Sequence, residues 1–294
     1  MSESLGTILT AMVTPFDADE AVDHGKLAEL ADHLLANGSD GLVVAGTTGE
    51  SPTLSDDEKL AMFRTVVSAV GDRSTVVAGT GSNHTRHSVE LTRAAEACGV
   101  DAILAVVPYY NKPPERGLLA HFRAIAAATD LPVIIYNIPG RCVVNLSPEA
   151  LAALARTENI VAVKQANPDL SETDRLMELS DMRVYAGNDD MLYEVMSRGG
   201  SGGICVASHL VGPRMAEIAR LCRQGDRAAA AAEDGQLHAL YEALFVTANP
   251  IPVKAALNLL GHEVGGLRLP LLPATPEEES VVAAELRRLG LTDA

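Results

Sequence analysis

The chain has 294 residues, 47% of them hydrophobic and only 3% aromatic, with no tryptophan. That is enough apolar material for one large α/β domain or two ordinary ones, it excludes a disordered chain, and it requires a core built from Ala, Val, Leu and Ile. A formal net charge of -16 and a sequence pI near 4.8 set up a negative field that disfavours phosphate backbones and anionic membranes, so nucleic acid is excluded as a partner.

The N-terminal stretch "MSESLGTILTAMVTPF" lacks the basic start, apolar run and small-residue cleavage site of a secretory leader, and no apolar run is long enough to span a bilayer. The four cysteines, Cys98, Cys142, Cys205 and Cys222, are scattered and form no C-x-x-C pair. A disulfide framework or zinc site is therefore not expected, and a cytoplasmic location is.

The first strand signal is "TILTAMV" (7–13), followed by "KLAELADHLLANG". There Leu27, Leu30, Ala31, Leu34 and Leu35 share one helical face, and Gly38 can close the end. "GLVVAG" (41–46) is the second strand. The loop "AGTTGESPTLS" (45–55) follows, with small residues that let backbone N–H groups approach an anion and two adjacent hydroxyls, Thr47 and Thr48. It lacks the lysine of a phosphate-binding P-loop, which favours a small carboxylate over a phosphate; a plain glycine-rich turn is the alternative. Ser55 and Glu58 have the spacing of a capping box at the start of the next helix.

"STVVAG" (74–79) is the third strand. Beyond it "NHTRH" sets His84 and His87 three apart, a spacing that can bind metal. Arg86 between them disfavours that reading. "DAILAVV" (101–107) leads into "VVPYYNKPP", a stiff loop bearing Tyr109 and Tyr110, which suits either a site or a subunit interface. "LPVIIYN" (131–137) ends with Tyr136 beside the sixth strand in barrel order. Tyr136 is then either a proton-transfer group or an amphipathic core residue. Arg141, in the following loop, has the planar fork that grips a carboxylate, or is a surface charge. Ser147 and Pro148 open a helix as cap and first residue.

"NIVAVK" (159–164) is the sixth strand, closed by Lys164. At a barrel mouth, a lysine whose pKa is lowered by burial has a free amine that can attack a carbonyl to form a Schiff base; the alternative is a side chain snorkelling to water. "RVYAG" (183–187) and "GGICVAS" (202–208) complete the strands. Asp189 and Asp190 between them read as a polar loop or helix cap. Beyond about residue 212 only helical patterns occur.

The strand runs are nearly continuously apolar, as in strands buried on both faces of a parallel sheet. Strand and helix alternate about eight times in roughly 220 residues, the size of a TIM (β/α)8 barrel. An open doubly wound sheet is the rival, but no G-x-G-x-x-G follows the first strand and polar residues cluster after several different strands. The expectation is a barrel over 1–224 carrying the active site and a helical C-terminal extension over 225–294.

"GTTGE", "PYYNKP", "YNIPGR", "AVKQA" and "NPIPVK" occur in that order. Together they resemble the dihydrodipicolinate synthase family of pyruvate-dependent class I aldolases and lyases, over nearly the whole chain. The resemblance implies condensation of pyruvate with aspartate 4-semialdehyde toward diaminopimelate and lysine, without metal or organic cofactor. It also implies a homotetramer built of tight dimers. By position, Lys164 matches the Schiff-base lysine. Tyr136, Thr47 and Tyr110 match a proton relay, Tyr110 reaching into the neighbouring subunit's site. Thr48 matches a pyruvate-carboxylate ligand, Ile204 a residue lining the pyruvate site, and Arg141 the ligand of the semialdehyde carboxylate.

Two departures stand out. Gln165 replaces an acidic residue common in the family, and Asn167-Pro168 replaces a small polar or glycine-containing turn. At the lysine-feedback site of regulated relatives, Asn83 and Tyr109 remain, but His87 replaces the acidic residue and Asp56 and Lys59 replace histidines, which implies weak or absent inhibition by L-lysine. The competing functions are a sugar-acid aldolase resembling N-acetylneuraminate lyase, with "AGNDD" and "CVASH" as hydroxyl-binding segments, and a non-catalytic barrel that senses keto acids.

Overall fold

A computed structural model describes residues 5–292. Its eight strands form a closed, all-parallel barrel in chain order: β1 (Ile8–Ala11), β2 (Gly41–Val44), β3 (Thr75–Gly79), β4 (Ala102–Val106), β5 (Val133–Asn137), β6 (Ile160–Gln165), β7 (Arg183–Ala186) and β8 (Gly202–Cys205). β1 closes the ring on β8 through the pairing Leu9↔Ile204. The strand positions are buried almost throughout because the barrel interior covers one face and the helices the other.

The barrel helices are α1 (His24–Ala36), α2 (Asp56–Val70), α3 (Thr85–Glu96), α4 (Glu115–Ala126), the short α5 (Pro139–Cys142), α6 (Pro148–Leu154), α7 (Leu170–Leu179), α8 (Leu192–Ser197) and α9 (Ser208–Gln224). Their starts follow local chemistry. The Ser55–Glu58 capping box forms in both directions, at 2.8 and 3.2 Å. Ser147 accepts from the Ala150 N–H at 3.1 Å with Pro148 at the first helical position. Gly38, at a φ of +90°, turns the chain out of α1, and a Cβ there would meet the Gly212 carbonyl carbon at 2.7 Å. α9 kinks at Val211, two residues before Pro213.

Beyond α9 come α10 (Arg227–Gly235), α11 (His238–Ala243), α12 (Ile251–Leu259) and α13 (Pro276–Arg288). Leu237, Leu240, Leu244, Val253 and Leu257 join the same contiguous apolar core as the barrel. Ala256, Val282 and Leu286 form a small second cluster where α12 meets α13. Among the described residues no helix is long and apolar enough to cross a membrane.

Two details differ from the sequence reading. β6 runs one residue past Lys164, because Gln165 still pairs with Asn137 and Ala186. β1 stops at Ala11, although Met12 and Val13 remain fully buried. The apolar pattern tracks burial, which outlasts the strand ladder.

Candidate active site

The parallel register sets Tyr136 directly opposite Lys164, and Lys164 opposite Tyr185. Paired residues in parallel neighbours face the same side, so the amine and the phenol meet near the C-terminal ends of β5 and β6. Lys164 is 5% exposed and Tyr136 6%. The Lys164 Nζ lies 4.1 Å from the centroid of the Tyr136 ring.

Burial lowers the Lys164 pKa to about 8; Arg141 also lowers it, while Cys205 and Asp189 draw it upward. At neutral pH roughly a tenth of such a group is free amine, against well under a thousandth for an ordinary lysine. Burial raises the Tyr136 pKa, opposed by the Arg141 charge and by a hydrogen bond with the Thr47 side chain. The phenol therefore stays protonated and can donate.

A cavity of about 540 Å³ opens above these residues, lined among others by Ala45, Thr47, Gly79, Val106, Tyr136 and Arg141. Lys164 is not among its lining residues; its amine packs over the face of the Tyr136 ring. The loop after β2 passes so close to β3 that a Cβ on Gly79 would meet the Ala45 carbonyl oxygen at 2.4 Å. Thr48 is buried and accepts a hydrogen bond from Asn249 Nδ2 at 2.9 Å. Arg141 sits exposed on α5 at the cavity wall. Ile204 is fully buried on β8.

Tyr110 stands apart from this group. It is 90% exposed, with a φ of +73°, while its neighbour Tyr109 lines the cavity. The left-handed backbone turns the two rings to different sides.

By sequence Asp189 reads as a loop or cap residue. It is buried and accepts from the N–H groups of Val206 and Ala207 at 2.8 and 3.0 Å, which anchors the chain entering α9. It also acts electrostatically on Lys164. Burial raises the pKa of both Asp189 and Cys205.

The departures at Gln165 and Asn167 belong to one amide network. Asn137 Nδ2 donates to Gln165 Oε1 at 2.9 Å and to Asn145 Oδ1 at 2.8 Å. Asn145 and Asn167 both donate to Glu172, at 2.9 and 2.8 Å. Gln165 thus serves Asn137 as a neutral acceptor.

Both ring nitrogens of His87 are engaged, Nε2 with Asp56 at 2.7 Å and Nδ1 with Ser82 at 3.2 Å. Among the described residues no cluster of three or more His, Cys, Asp or Glu is arranged to hold a metal ion. A concavity of about 750 Å³ lined by Asp174, Arg198, Arg223 and Arg227 contains none of the residues above.

A closed parallel barrel that buries an amine of lowered basicity beside a protonated phenol, next to an open cavity, has the architecture of a (β/α)8-barrel lyase. The chain belongs to the dihydrodipicolinate synthetase family, whose model matches residues 4–289. It is 51% identical over 288 residues to the 4-hydroxy-tetrahydrodipicolinate synthase of Moorella thermoacetica, covering 97% of this chain and 99% of that one. It is 49% identical over 288 residues to the enzyme of the same name from Heliobacterium modesticaldum, covering 97% and 96%. The crystal structure of the dihydrodipicolinate synthase of Cyanidioschyzon merolae with lysine bound superposes with a TM-score of 0.96 at 44% identity, covering 98% of this chain and 99% of that one.

Proposed function

We propose that this protein condenses pyruvate with L-aspartate 4-semialdehyde to 4-hydroxy-tetrahydrodipicolinate, the product for which its relatives are named. The observation that carries this reading is the buried Lys164 amine against the Tyr136 ring, beneath a cavity with Arg141 at its wall.

In the reading, the free Lys164 amine adds to the pyruvate ketone. Tyr136 supplies a proton as the carbinolamine oxygen leaves as water, giving a protonated imine. The imine withdraws electrons from the adjacent methyl group, which returns a proton to the Tyr136 phenolate left by the first step and becomes an enamine. The enamine carbon attacks the aldehyde, a carbon–carbon bond forms, and the new alkoxide takes a proton through Thr47 and Tyr136. The substrate's own amine then adds to the imine carbon and displaces Lys164, closing the ring and regenerating the enzyme. Thr48 holds the pyruvate carboxylate, Ile204 forms a wall of the pyruvate site, and Arg141 receives the semialdehyde carboxylate. The lysine provides the electron sink, so the steps need no organic cofactor.

Tyr110 completes the relay from a neighbouring subunit in a homotetramer of tight dimers; its exposure in the single chain supports a partner at that loop. The reading places the protein in the cytoplasm. It assigns the chemistry to a barrel over 1–224, with 225–294 as an extension.

Turnover is the discriminating experiment. The purified protein should consume pyruvate and aspartate semialdehyde together and leave N-acetylneuraminate and keto-deoxy sugar acids essentially uncleaved. Cleavage of a sugar acid with an inert semialdehyde selects the aldolase reading, and pyruvate binding without turnover of any aldehyde selects the sensor.

The same cavity bears on inhibition. Asp56 is engaged by His87 at 2.7 Å and by the largely buried Lys59 at 3.6 Å, so a ligand ammonium entering there meets a cation and no free carboxylate. L-Lysine is therefore expected to inhibit weakly or not at all in a steady-state assay. Half-inhibition at sub-millimolar L-lysine contradicts this.

A further inference from the structure

The segment "NPIPVK" (249–254) belongs to the C-terminal extension, and neither Asn249 nor Lys254 lines the cavity. Both nevertheless reach under the loop that carries Thr47 and Thr48. Lys254 and Glu50 are each 1% exposed and pair at 3.0 Å, across 204 positions of sequence. Lys254 Nζ also donates to the Thr14 carbonyl at 2.8 Å and lies 4.4 Å from the centre of the Phe16 ring. The other Glu50 oxygen accepts from the Arg268 N–H at 3.1 Å. Thr14 Oγ1 donates to the Gly49 carbonyl at 2.6 Å, and the Arg268 guanidinium donates to the Thr53 carbonyl at 2.9 Å. Asn249 Nδ2 donates to Thr48 Oγ1, which leaves the threonine proton free for another acceptor.

The loop held in this way is not relaxed. Ala45 and Glu50, both with side chains, have φ of 54° and 56°, in the left-handed region. Strained backbone persists only where its surroundings over-determine it, and Glu50 is fastened from two sides. A buried ion pair is a poor source of net stability compared with apolar residues of the same volume. Its value here lies in fixing direction: one carboxylate is aimed at once at α12 and at the strap leading to α13.

We propose that Lys254 is a positioning residue for the reaction. Through Glu50, and with Asn249 acting on Thr48, it holds residues 47–50 so that the two threonine hydroxyls meet the pyruvate carboxylate and the Tyr136 phenol. The inference rests on the proposed roles of Thr47 and Thr48 and adds that the C-terminal extension sets the pyruvate-binding loop.

The test uses Lys254→Met, Glu50→Gln, the double variant and Asn249→Ala in the full-length protein. Borohydride trapping is measured across pyruvate concentrations, with melting temperature beside it. Lys254→Met is expected to raise the half-saturating pyruvate concentration about 10-fold or more, while the maximal trapping rate stays within about 3-fold of wild type, because Lys164 and Tyr136 are untouched. The double variant removes the stranded carboxylate and should recover melting temperature without recovering pyruvate saturation. Asn249→Ala should shift saturation in the same direction. If Lys254→Met does not fold, the double variant and Asn249→Ala decide.

Unchanged saturation in the folded variants, or saturation that recovers together with melting temperature, reduces the pair to a structural element and overturns the proposal. Wild-type protein that traps pyruvate while the variants behave identically to it defeats the positioning role alone. Wild-type protein that traps none defeats the functional reading and this inference with it.

Discussion

Replacing Lys164 by alanine should abolish turnover, with a loss of about 10⁴-fold or more in kcat/KM, and should remove pyruvate trapping altogether. The loss is this large because no neighbour can take over. Asp189 is a carboxylate hydrogen-bonded to two backbone amides, and Cys205 is a buried thiol whose burial keeps it protonated. Neither can form an imine. The fold should survive, since the substitution removes a desolvated amine packed against the Tyr136 ring, and circular dichroism and melting temperature check this. Trapping that persists at another lysine of the variant contradicts the assignment.

Tyr136→Phe isolates the hydroxyl from the ring. Phenylalanine keeps the aromatic face 4.1 Å from the amine and the buried volume between β5 and the cavity, so Lys164 keeps its surroundings. What disappears is the proton donor, hydrogen-bonded to Thr47 and held protonated by burial. General acid–base groups of this kind contribute about 10²- to 10⁴-fold. The expected result is a fall of that order in kcat with a small change in KM for pyruvate, and trapping that still occurs at Lys164, but slowly. A variant with the wild-type rate removes the phenol from the relay.

The central pair was legible in the sequence because barrel topology makes consecutive strands neighbours. Once β5 and β6 are recognised, Tyr136 and Lys164 are adjacent, and the register confirms it. Helix starts were legible for a local reason: a cap is a contact between residues three apart, as at Ser55–Glu58 and Ser147–Ala150. Strand ends were less so, because Met12 and Val13 stay buried after the β1 ladder stops.

The contacts that support the site were hidden for a different reason. Asp189 reaches amides 17 and 18 positions away, and Lys254 finds Glu50 at the far end of the chain. Neither pairing has a period or spacing to betray it, and a lysine in an amphipathic helix reads as a surface charge. In "PYY", two identical residues side by side part company through one left-handed backbone angle, which side-chain chemistry does not announce.

The most direct test of the account is borohydride reduction of the wild-type protein with pyruvate, followed by peptide mass mapping. The prediction is a single 1-carboxyethyl group on Lys164, formed faster as pH rises toward about 8, where burial places the amine's titration. An unmodified Lys164 at saturating pyruvate, or an adduct on an exposed lysine such as Lys112, contradicts it.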